Sequence, residues 1–213
     1  MSQDHSCMLC DSIDTQLYYS NENSSYLRCS RCELVFSPKC FHLNNTDEKS
    51  RYDLHQNNPE DKHYRAFLSC VFNPVLDWIN LGAKGLDFGS GPGPTLSLMF
   101  EEKGYLVDLF DKYYANNPDI FNNQYDFITA TEVVEHLDEP GKELCRLFKL
   151  LNPGGVLAVM TSMLSQEIDF SSWHYKDDST HICFFSKKTM NHLAKKWNAR
   201  IKFYDKNVVL FFK

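Results

Sequence analysis

Short apolar runs alternate with segments of helical periodicity from about residue 45 onward, and this alternation limits the fold more than any other feature. Strand-like runs occur as "GLDFG", "YLVDLFD", "YDFITATE" and "GVLAVMTS", and helical spacing marks "PTLSLMFEEKG", "GKELCRLFKLL" and "KKTMNHLAKKW". The pattern predicts a doubly wound, mostly parallel α/β sheet with helices on both faces. The last segment, "RIKFYDKNVVLFF", predicts an antiparallel hairpin, and "DKHYRAFLSCVFNPVLDWI" predicts a helix that breaks at Pro74.

The first strand runs into a glycine turn, "GLDFGSGPGP", at residues 85–94. A dinucleotide fingerprint, G-x-G-x-x-G/A, would place Pro94 or Leu96 at its last position, and the GK[ST] of a phosphate-binding P-loop does not follow the turn. The turn instead has an acid two residues before three alternating glycines: Asp87, Gly89, Gly91 and Gly93. This pattern excludes the common phosphate-binding turns and favours a ligand that carries positive charge.

The turn resembles the first motif of class I S-adenosylmethionine-dependent methyltransferases, and the resemblance continues in order over roughly residues 45–213. "YLVDLFD" is similar to the second strand and its terminal acid, "YDFITATEVVEHLDEP" to the fourth-strand motif, and "LLNPGGVLAVMT" to the turn before the fifth strand. Four motifs in register make the resemblance specific. It implies a Rossmann-like methyltransferase sheet and S-adenosylmethionine as the cofactor.

The resemblance also implies which residues bind the cofactor. The sulfonium and ammonium groups of S-adenosylmethionine favour an acid beside the turn, glycines allow close approach of the backbone, and Asp111 is expected to accept both ribose hydroxyls. The expected contact residues are Asp87, Gly89, Ser90, Gly91, Gly93, Asp111, Thr131, Glu132, Tyr52 and His55.

One departure from the family concerns the third strand. Only thirteen residues separate Asp111 from Tyr125, too few for the helix, strand and helix that the family usually places there. We therefore expect a reduced or missing third strand, with the second strand near an edge that tolerates Asp108. The identity of the acid that commonly faces the adenine amino group is then open, and Asp119 is only a weak substitute for it.

Eight cysteines include two CxxC pairs near the N-terminus. Cys7 and Cys10 are separated by eighteen residues from Cys29 and Cys32, the spacing of a zinc ribbon. This spacing predicts one closed structural zinc site on these four residues, in an N-terminal ribbon over 1–44 followed by a methyltransferase domain over 45–213. A redox CxxC would precede a helix in a βαβ unit, which is not seen here. Cys40 and His42 are possible substitute ligands, whereas three isolated cysteines are read as core residues: Cys70, Cys145 and Cys183.

The composition limits which kinds of binding partner we expect for this chain. The formal net charge is −6, with no basic block, so nucleic acid is an unlikely partner. No apolar run reaches the roughly 18 to 20 residues of a membrane span, and the N-terminus lacks a signal-peptide pattern, so we expect a cytoplasmic protein without a membrane partner.

Two polar and aromatic stretches are expected to hold a small-molecule methyl acceptor. "RYDLHQNNPEDKHYR" carries Tyr52, His55, Gln56 and Tyr64 and is expected to cover the cofactor as a lid. "SSWHYKDDSTH" follows the fifth strand and carries His174, Tyr175 and His181. We expect His174 or His181 to act as general base if the acceptor must lose a proton, and His136 lies beside the same cleft or caps the next turn.

Three alternatives remain open from the sequence. The ribbon and core also resemble the N-terminal two-thirds of sugar C-methyltransferases, whose third domain has no counterpart here. A zinc-ribbon RNA methyltransferase is the second alternative, and the acidic balance disfavours it. A catalytically silent cofactor-binding or scaffolding protein is the third, and the intact glycines and acids argue against it.

Overall fold

The computed structural model describes residues 6–54 and 57–213. Its large sheet has six strands, in the order β5-β4-β6-β7-β10-β9. β4, β5, β6 and β7 pair in parallel, and β10 pairs antiparallel with both β7 and β9. The strands are β4 (Lys84–Phe88), β5 (Leu106–Phe110), β6 (Tyr125–Thr131), β7 (Leu151–Met160), β9 (Arg200–Tyr204) and β10 (Val208–Phe212). The predicted doubly wound sheet and its C-terminal hairpin are confirmed.

The main helices cover both faces of this sheet. They are α2 (Lys62–Leu76), α3 (Thr95–Glu101), α4 (Pro140–Lys149) and α5 (Lys187–Trp197), and α1 (Asn45–Tyr52) precedes them. β6 is buried on both sides, because Phe127 packs with α2 and α3 while Ile128 packs with α4 and α5. In the described part of the chain, no helix is long and apolar enough to cross a membrane.

α2 corrects one expectation, because it does not break at Pro74. The proline lies inside the helix, which ends at Leu76. In the last turn its missing N–H removes one hydrogen bond, to the carbonyl of Cys70. Cys70 is exposed, so it is not the core residue predicted, whereas Cys183 is buried and Cys145 is half-buried.

β5 is the edge strand of the described sheet, which confirms that the third strand of the family is missing. A bridge between Asp111 and Ala115 and a short 3-10 helix over Pro118–Asn122 fill the connection to β6. Asp108 on this edge pairs with Lys84 Nζ at 2.8 Å and accepts from Tyr125 Oη at 2.8 Å. Asp108, an acid within the edge strand, thus has both a cationic partner and a hydrogen-bond donor.

A second sheet has the order β1-β2-β3-β8 and joins the N-terminal segment to the rest of the chain. β1 (Thr15–Ser20), β2 (Ser25–Cys29) and β3 (Val35–Phe36) form the ribbon, and β8 (Cys183–Phe184) pairs antiparallel with β3. The predicted boundary after residue 44 falls at Asn44, which caps α1 by accepting from the amides of Thr46 and Asp47. The ribbon is therefore completed by a strand from the large domain.

The ribbon also packs against the start of α4. Leu9 and Leu34 share one hydrophobic cluster with Leu144 and Leu147 of that helix. At Gly141 a Cβ atom would lie 2.2 Å from the carbonyl oxygen of Leu9, so only glycine allows this approach.

We predict that Gly141→Ala destabilises the protein by about 1 to 3 kcal/mol, because the added methyl overpacks a backbone contact. Helix propensity alone would change stability in the opposite direction by about 1 kcal/mol. Urea unfolding measures the difference, and Lys142→Ala, one residue along and exposed, is the matched control. A Gly141→Ala variant as stable as the parent would contradict the docking contact.

Candidate functional site

A cleft of about 660 Å³ lies at the carboxyl ends of β4, β5 and β6. This volume is within the range of small-molecule sites, and the sheet edge is where doubly wound folds bind ligands. Its lining comes from α1 and the segment after it, from the glycine turn, from the end of β5, and from the stretch that follows β6. The predicted residues that line it are Tyr52, Tyr64, Gly89, Ser90, Gly91, Asp111, Thr131, Glu132, His136 and His181.

The glycine turn is bound to the edge strand by its backbone. The amides of Gly89 and Ser90 donate to the carbonyl of Phe110 at 2.7 and 3.2 Å. Gly89 and Gly91 have φ angles of 76° and 64°, the left-handed region that glycine tolerates best. A Cβ at Gly89 would meet Val133 at 2.3 Å and one at Gly93 would meet the Asn57 carbonyl at 2.3 Å. At Gly91, among the described residues, it would find only Asn57, at 3.7 Å, so Gly91 is the glycine of the turn that opens onto the cleft.

Asp111 orders the turn from the opposite side. One carboxylate oxygen accepts from the Gly91 amide at 2.9 Å, and the other accepts from the amides of Tyr113 and Tyr114 at 2.8 and 3.1 Å. Both lone pairs of Oδ1 are thus engaged, but Oδ2 has a second lone pair with which the carboxylate can still accept from a ligand in the cleft.

Asp87 is buried beneath the turn. It is 5% exposed, and its Oδ1 accepts from the Thr129 hydroxyl at 2.7 Å. Burial raises the pKa of this carboxyl to about 6, against the lowering effect of the Thr129 hydrogen bond, and the charge of Asp111 raises it further. A cation in the cleft would favour the ionised form.

Two buried hydroxyls at the cleft have no hydrogen-bond partner among the described residues: Ser90 Oγ and Thr131 Oγ1. Buried polar atoms are nearly always paired, so unpaired ones in a cleft fit a polar ligand. Both residues were predicted as cofactor contacts from the sequence.

Helix α1 is tied to the end of β5 across the cleft. Glu48 accepts from Tyr52 Oη at 3.0 Å, from Tyr113 Oη at 2.7 Å and from Lys112 Nζ at 3.0 Å. The predicted lid segment therefore lies at the cleft through Tyr52 and Tyr64. His55 and Gln56, the other residues of that prediction, lie outside the described residues.

Two carboxylates meet where β6 ends. Glu132 has a φ of 51°, which is uncommon for a residue with a side chain, and burial together with the charge of Glu135 raises its pKa to about 8. Glu135 is fully buried, and burial raises its pKa as well. Tyr175 Oη contacts both, at 2.6 Å from Glu135 and 3.2 Å from Glu132.

Two histidines complete this end of the cleft. His136 and His181 have ring centroids 4.7 Å apart, and each directs Nδ1 at a backbone carbonyl: His136 at Thr180 O, 3.0 Å away, and His181 at Tyr175 O, 2.6 Å away. Burial and His136 lower the pKa of His181. His174, the other predicted base, is exposed and does not line the cleft. The structure therefore brings only His181 of the two into position.

The four cysteines of the CxxC pairs meet at the base of the ribbon. Their sulfur atoms all lie within 4.8 Å of one another, with Cys7–Cys32 at 3.4 Å and Cys10–Cys29 at 3.6 Å. The two CxxC turns have the same backbone geometry. In each, the amide of the residue that follows the second cysteine donates to the carbonyl of the first cysteine, at 2.9 Å. Those residues, Asp11 and Glu33, have φ angles of 58° and 63°. Cys40 is exposed and, like His42, stands outside this cluster.

Comparison with known proteins decides the family. A sequence model described as "Methyltransferase domain" matches residues 61–201, about two thirds of the chain. The chain belongs to this methyltransferase family. The resemblance to class I S-adenosylmethionine-dependent methyltransferases is thereby confirmed.

Curated relatives match a shorter part of this chain. The ubiquinone biosynthesis O-methyltransferase of Erwinia tasmaniensis is 34% identical over 71 residues, 33% of this chain and 29% of that protein. The protein of the same name from Pectobacterium atrosepticum is 32% identical over 71 residues, 33% of this chain and 30% of that protein. The matched part thus spans under a third of the length of these relatives.

Solved structures share the fold at low identity. The 1,6-didemethyltoxoflavin-N1-methyltransferase of Burkholderia thailandensis, solved with 1,6-didemethyltoxoflavin and S-adenosylhomocysteine, has a TM-score of 0.54 at 12% identity, covering 92% of this chain and 97% of that chain. A SAM-dependent methyltransferase from Archaeoglobus fulgidus has a TM-score of 0.51 at 14% identity, covering 72% of this chain and 100% of that chain.

Several residues that lie at the cleft were not identified from the sequence. Asn57, Glu48 and Lys112 line it, and so does the aromatic pair Tyr113 and Tyr114. Glu135, fully buried beside it, was also missed. Its spacing after Glu132 in "TEVVEH" was a usable signal, because residues three apart in a helical turn share one face. Asp119, the weak substitute at the adenine end, is exposed and does not line the cleft.

The raised pKa of Asp87 predicts a pH-dependent cost to stability. The pKa of this carboxyl rises from 3.8 to about 6 on folding, so the free energy of unfolding of the protein falls as pH rises through that window. The loss reaches about 3 kcal/mol once pH exceeds 6. Asp87→Asn keeps an acceptor for Thr129 but carries no charge. We expect the ligand-free variant to be more stable than the parent at pH 8, with the difference shrinking towards pH 4. Chemical unfolding at both pH values measures this, and an equal effect at both would contradict it.

Proposed function

We propose that this protein transfers the methyl group of S-adenosylmethionine to a small-molecule acceptor bound in the same cleft. The observation that carries the proposal is the glycine turn bonded to the Asp111 carboxylate, at the mouth of a cleft of about 660 Å³ in a chain of the methyltransferase family. The cleft volume supports a cofactor and acceptor of small-molecule size.

The cofactor's parts have matching groups in the cleft. Asp111 is proposed to accept a ribose hydroxyl through the remaining lone pair of Oδ2, and Gly91 to let the ligand approach the backbone. Asp87 lies beneath the turn as a charge partner for the cationic amino acid end, together with the unpaired hydroxyls of Ser90 and Thr131. Gly89 and Gly93 are proposed to act indirectly, because their hydrogens face Val133 and Asn57. Tyr52 and Tyr64 would cover the bound cofactor.

The reaction itself needs an aligned acceptor. An acceptor oxygen attacks the methyl carbon, the carbon–sulfur bond breaks, and its electron pair returns to sulfur to leave a neutral thioether. Most of the rate comes from holding the two groups in line and excluding water. A hydroxyl acceptor must also lose its proton, and His181 and Glu132 lie at the cleft to take it. The names of the curated relatives, both O-methyltransferases, support an oxygen acceptor.

We predict that methyl-labelled S-adenosylmethionine, incubated with the protein and a fractionated cell extract, places label in the small-molecule fraction. Gly91→Val is the binding-deficient control, because a branched side chain at this position would enter the cleft beside Asn57. Asp111→Ala should weaken binding of S-adenosylhomocysteine by roughly 2 to 3 kcal/mol in calorimetry.

The alternatives give different outcomes in the same assay. Label confined to RNA would contradict the small-molecule acceptor and favour an RNA methyltransferase, whose binding should be steeply salt-dependent. Tight binding of S-adenosylhomocysteine with no label in any fraction would favour the silent cofactor-binding protein. Unchanged affinity in both variants would contradict the proposed cofactor site.

We also propose that the cysteine cluster binds one structural zinc ion through Cys7, Cys10, Cys29 and Cys32. Four thiolates at about 2.3 Å from a tetrahedral zinc ion lie about 3.8 Å apart. This is close to the sulfur–sulfur distances of 3.4 Å for Cys7–Cys32 and 3.6 Å for Cys10–Cys29. Zinc would hold the ribbon turns together, and the closed ligand set gives it no role in methyl transfer.

We predict about one zinc ion per chain in elemental analysis of the purified protein. Cys29→Ser should lose this zinc and unfold at a lower temperature, because the ribbon packs on α4 through the same cluster. Cys40→Ser, exposed and outside the cluster, is the control and should keep both the zinc and the stability. Parent protein without zinc, or four thiols that titrate freely in it, would contradict the site.

A further inference from the structure

The cluster of Glu135, His136 and His181 has the composition of a metal site. One ligand atom from each residue lies within 4.8 Å of the other two. Two imidazoles and one carboxylate are a common ligand set for divalent first-row metals, and three protein ligands leave positions open for a substrate. Ligand atoms about 2.1 Å from one ion lie about 3.0 to 3.4 Å apart, so the three atoms would move closer together from their present separations of up to 4.8 Å.

The hydrogen bonds of the two histidines fix the chemistry of their rings. Nδ1 of His136 donates to the Thr180 carbonyl and Nδ1 of His181 donates to the Tyr175 carbonyl. With the proton on Nδ1, the lone pair of each neutral ring is on Nε2. Histidines that bind metals commonly donate their other ring N–H to a backbone carbonyl in this way.

Glu135 provides an independent observation. The residue is fully buried, and its Oε2 has no hydrogen-bond partner among the described residues. Its other oxygen accepts from Tyr175 Oη at 2.6 Å, which orients the carboxylate. A buried carboxylate oxygen without a partner is costly, and a cation would relieve that cost.

The charge balance points the same way. Glu132 and Glu135 are neighbouring acids, and Tyr175, which contacts both, has a single proton to donate. In the described ranges, no lysine or arginine forms an ion pair with either carboxylate. Two neighbouring acids with so little compensation favour a bound cation, and the cluster opens to the cleft through His136 and His181, with Glu132 beside them.

We propose that Glu135, His136 and His181 bind a divalent cation at the acceptor end of the cleft, with Glu132 beside it. The site follows from the residues themselves, whereas the role of the cation rests on the proposed function. A hydroxyl on the cation's open position would become more acidic. Its proton passes to Glu132, the resulting oxyanion attacks the methyl carbon, and the carbon–sulfur electron pair returns to sulfur. His181 then acts as a ligand rather than as a free base.

Mn²⁺ is the probe that tests the site, because it prefers nitrogen and oxygen ligands and is a poor competitor for the four thiolates. Titration of the 213-residue chain, with S-adenosylhomocysteine present, is followed by loss of the free Mn²⁺ electron paramagnetic resonance signal. We expect one site in the parent, and affinity reduced at least about 10-fold in Glu135→Gln and His181→Ala. His192→Ala, on α5 and away from the cleft, should bind as the parent does. Thermal unfolding shows whether each variant is folded.

The outcomes separate this inference from the proposed function. No binding by the parent, or equal binding by the parent and a folded Glu135→Gln, would overturn the cation site. Methyl transfer to a hydroxyl acceptor that Mn²⁺ does not increase, at equal rates in the parent and Glu135→Gln, would overturn the cation's role while leaving the methyltransferase proposal intact. Mn²⁺ binding that the two ligand variants lose supports the site even if no acceptor is methylated.

Discussion

The cleft depends on a set of backbone hydrogen bonds between the turn after β4 and the end of β5. Gly89 and Ser90 donate to Phe110, and Gly91 donates to Asp111, so three consecutive amides of the turn are bound to one strand end. β5 is an edge strand, paired only with β4 in the described sheet. The shape of the glycine turn is therefore set by a strand that has a neighbouring strand on one side, and the Lys84–Asp108–Tyr125 contacts strengthen that side.

The absence of a third strand has a further consequence for the cleft. Where a strand and two helices would normally cover the end of β5, Lys112 and Tyr113 bind Glu48 of α1, which comes from the segment just after the ribbon. The ribbon in turn is fixed by β8 and by its contact with Gly141 of α4. The N-terminal segment thus packs on the rest of the chain at two places, and the helix α1 that follows it lines the cleft through Glu48 and Tyr52.

The sequence predicted the sheet, its hairpin and the missing strand because each depends on local periodicity and on chain length. It predicted the cysteine cluster because the spacing of two CxxC turns allows few other arrangements. It failed at Pro74, where the position of the proline within the last turn mattered more than its presence. Two histidines of one segment were predicted as candidate bases, but the burial of each depends on tertiary packing. The Tyr175 carbonyl binds His181, and His174 faces solvent. Glu135 was missed because burial of a charged residue contradicts its usual preference for the surface.

The buried acids of the cleft share one physical property. Burial raises the pKa of Asp87, Glu132 and Glu135, so each carboxylate is less stable in the ligand-free protein than in water. A fold retains such buried acids only where the rest of the structure is stable enough to offset their desolvation. The central strands provide that stability here. The same cost increases the attraction for positive charge, because a cationic ligand replaces the missing solvation of the carboxylates. The proposed sulfonium cofactor beside Asp87 and the proposed cation beside Glu135 would therefore be bound by one mechanism, and both would stabilise the fold by binding only its folded form.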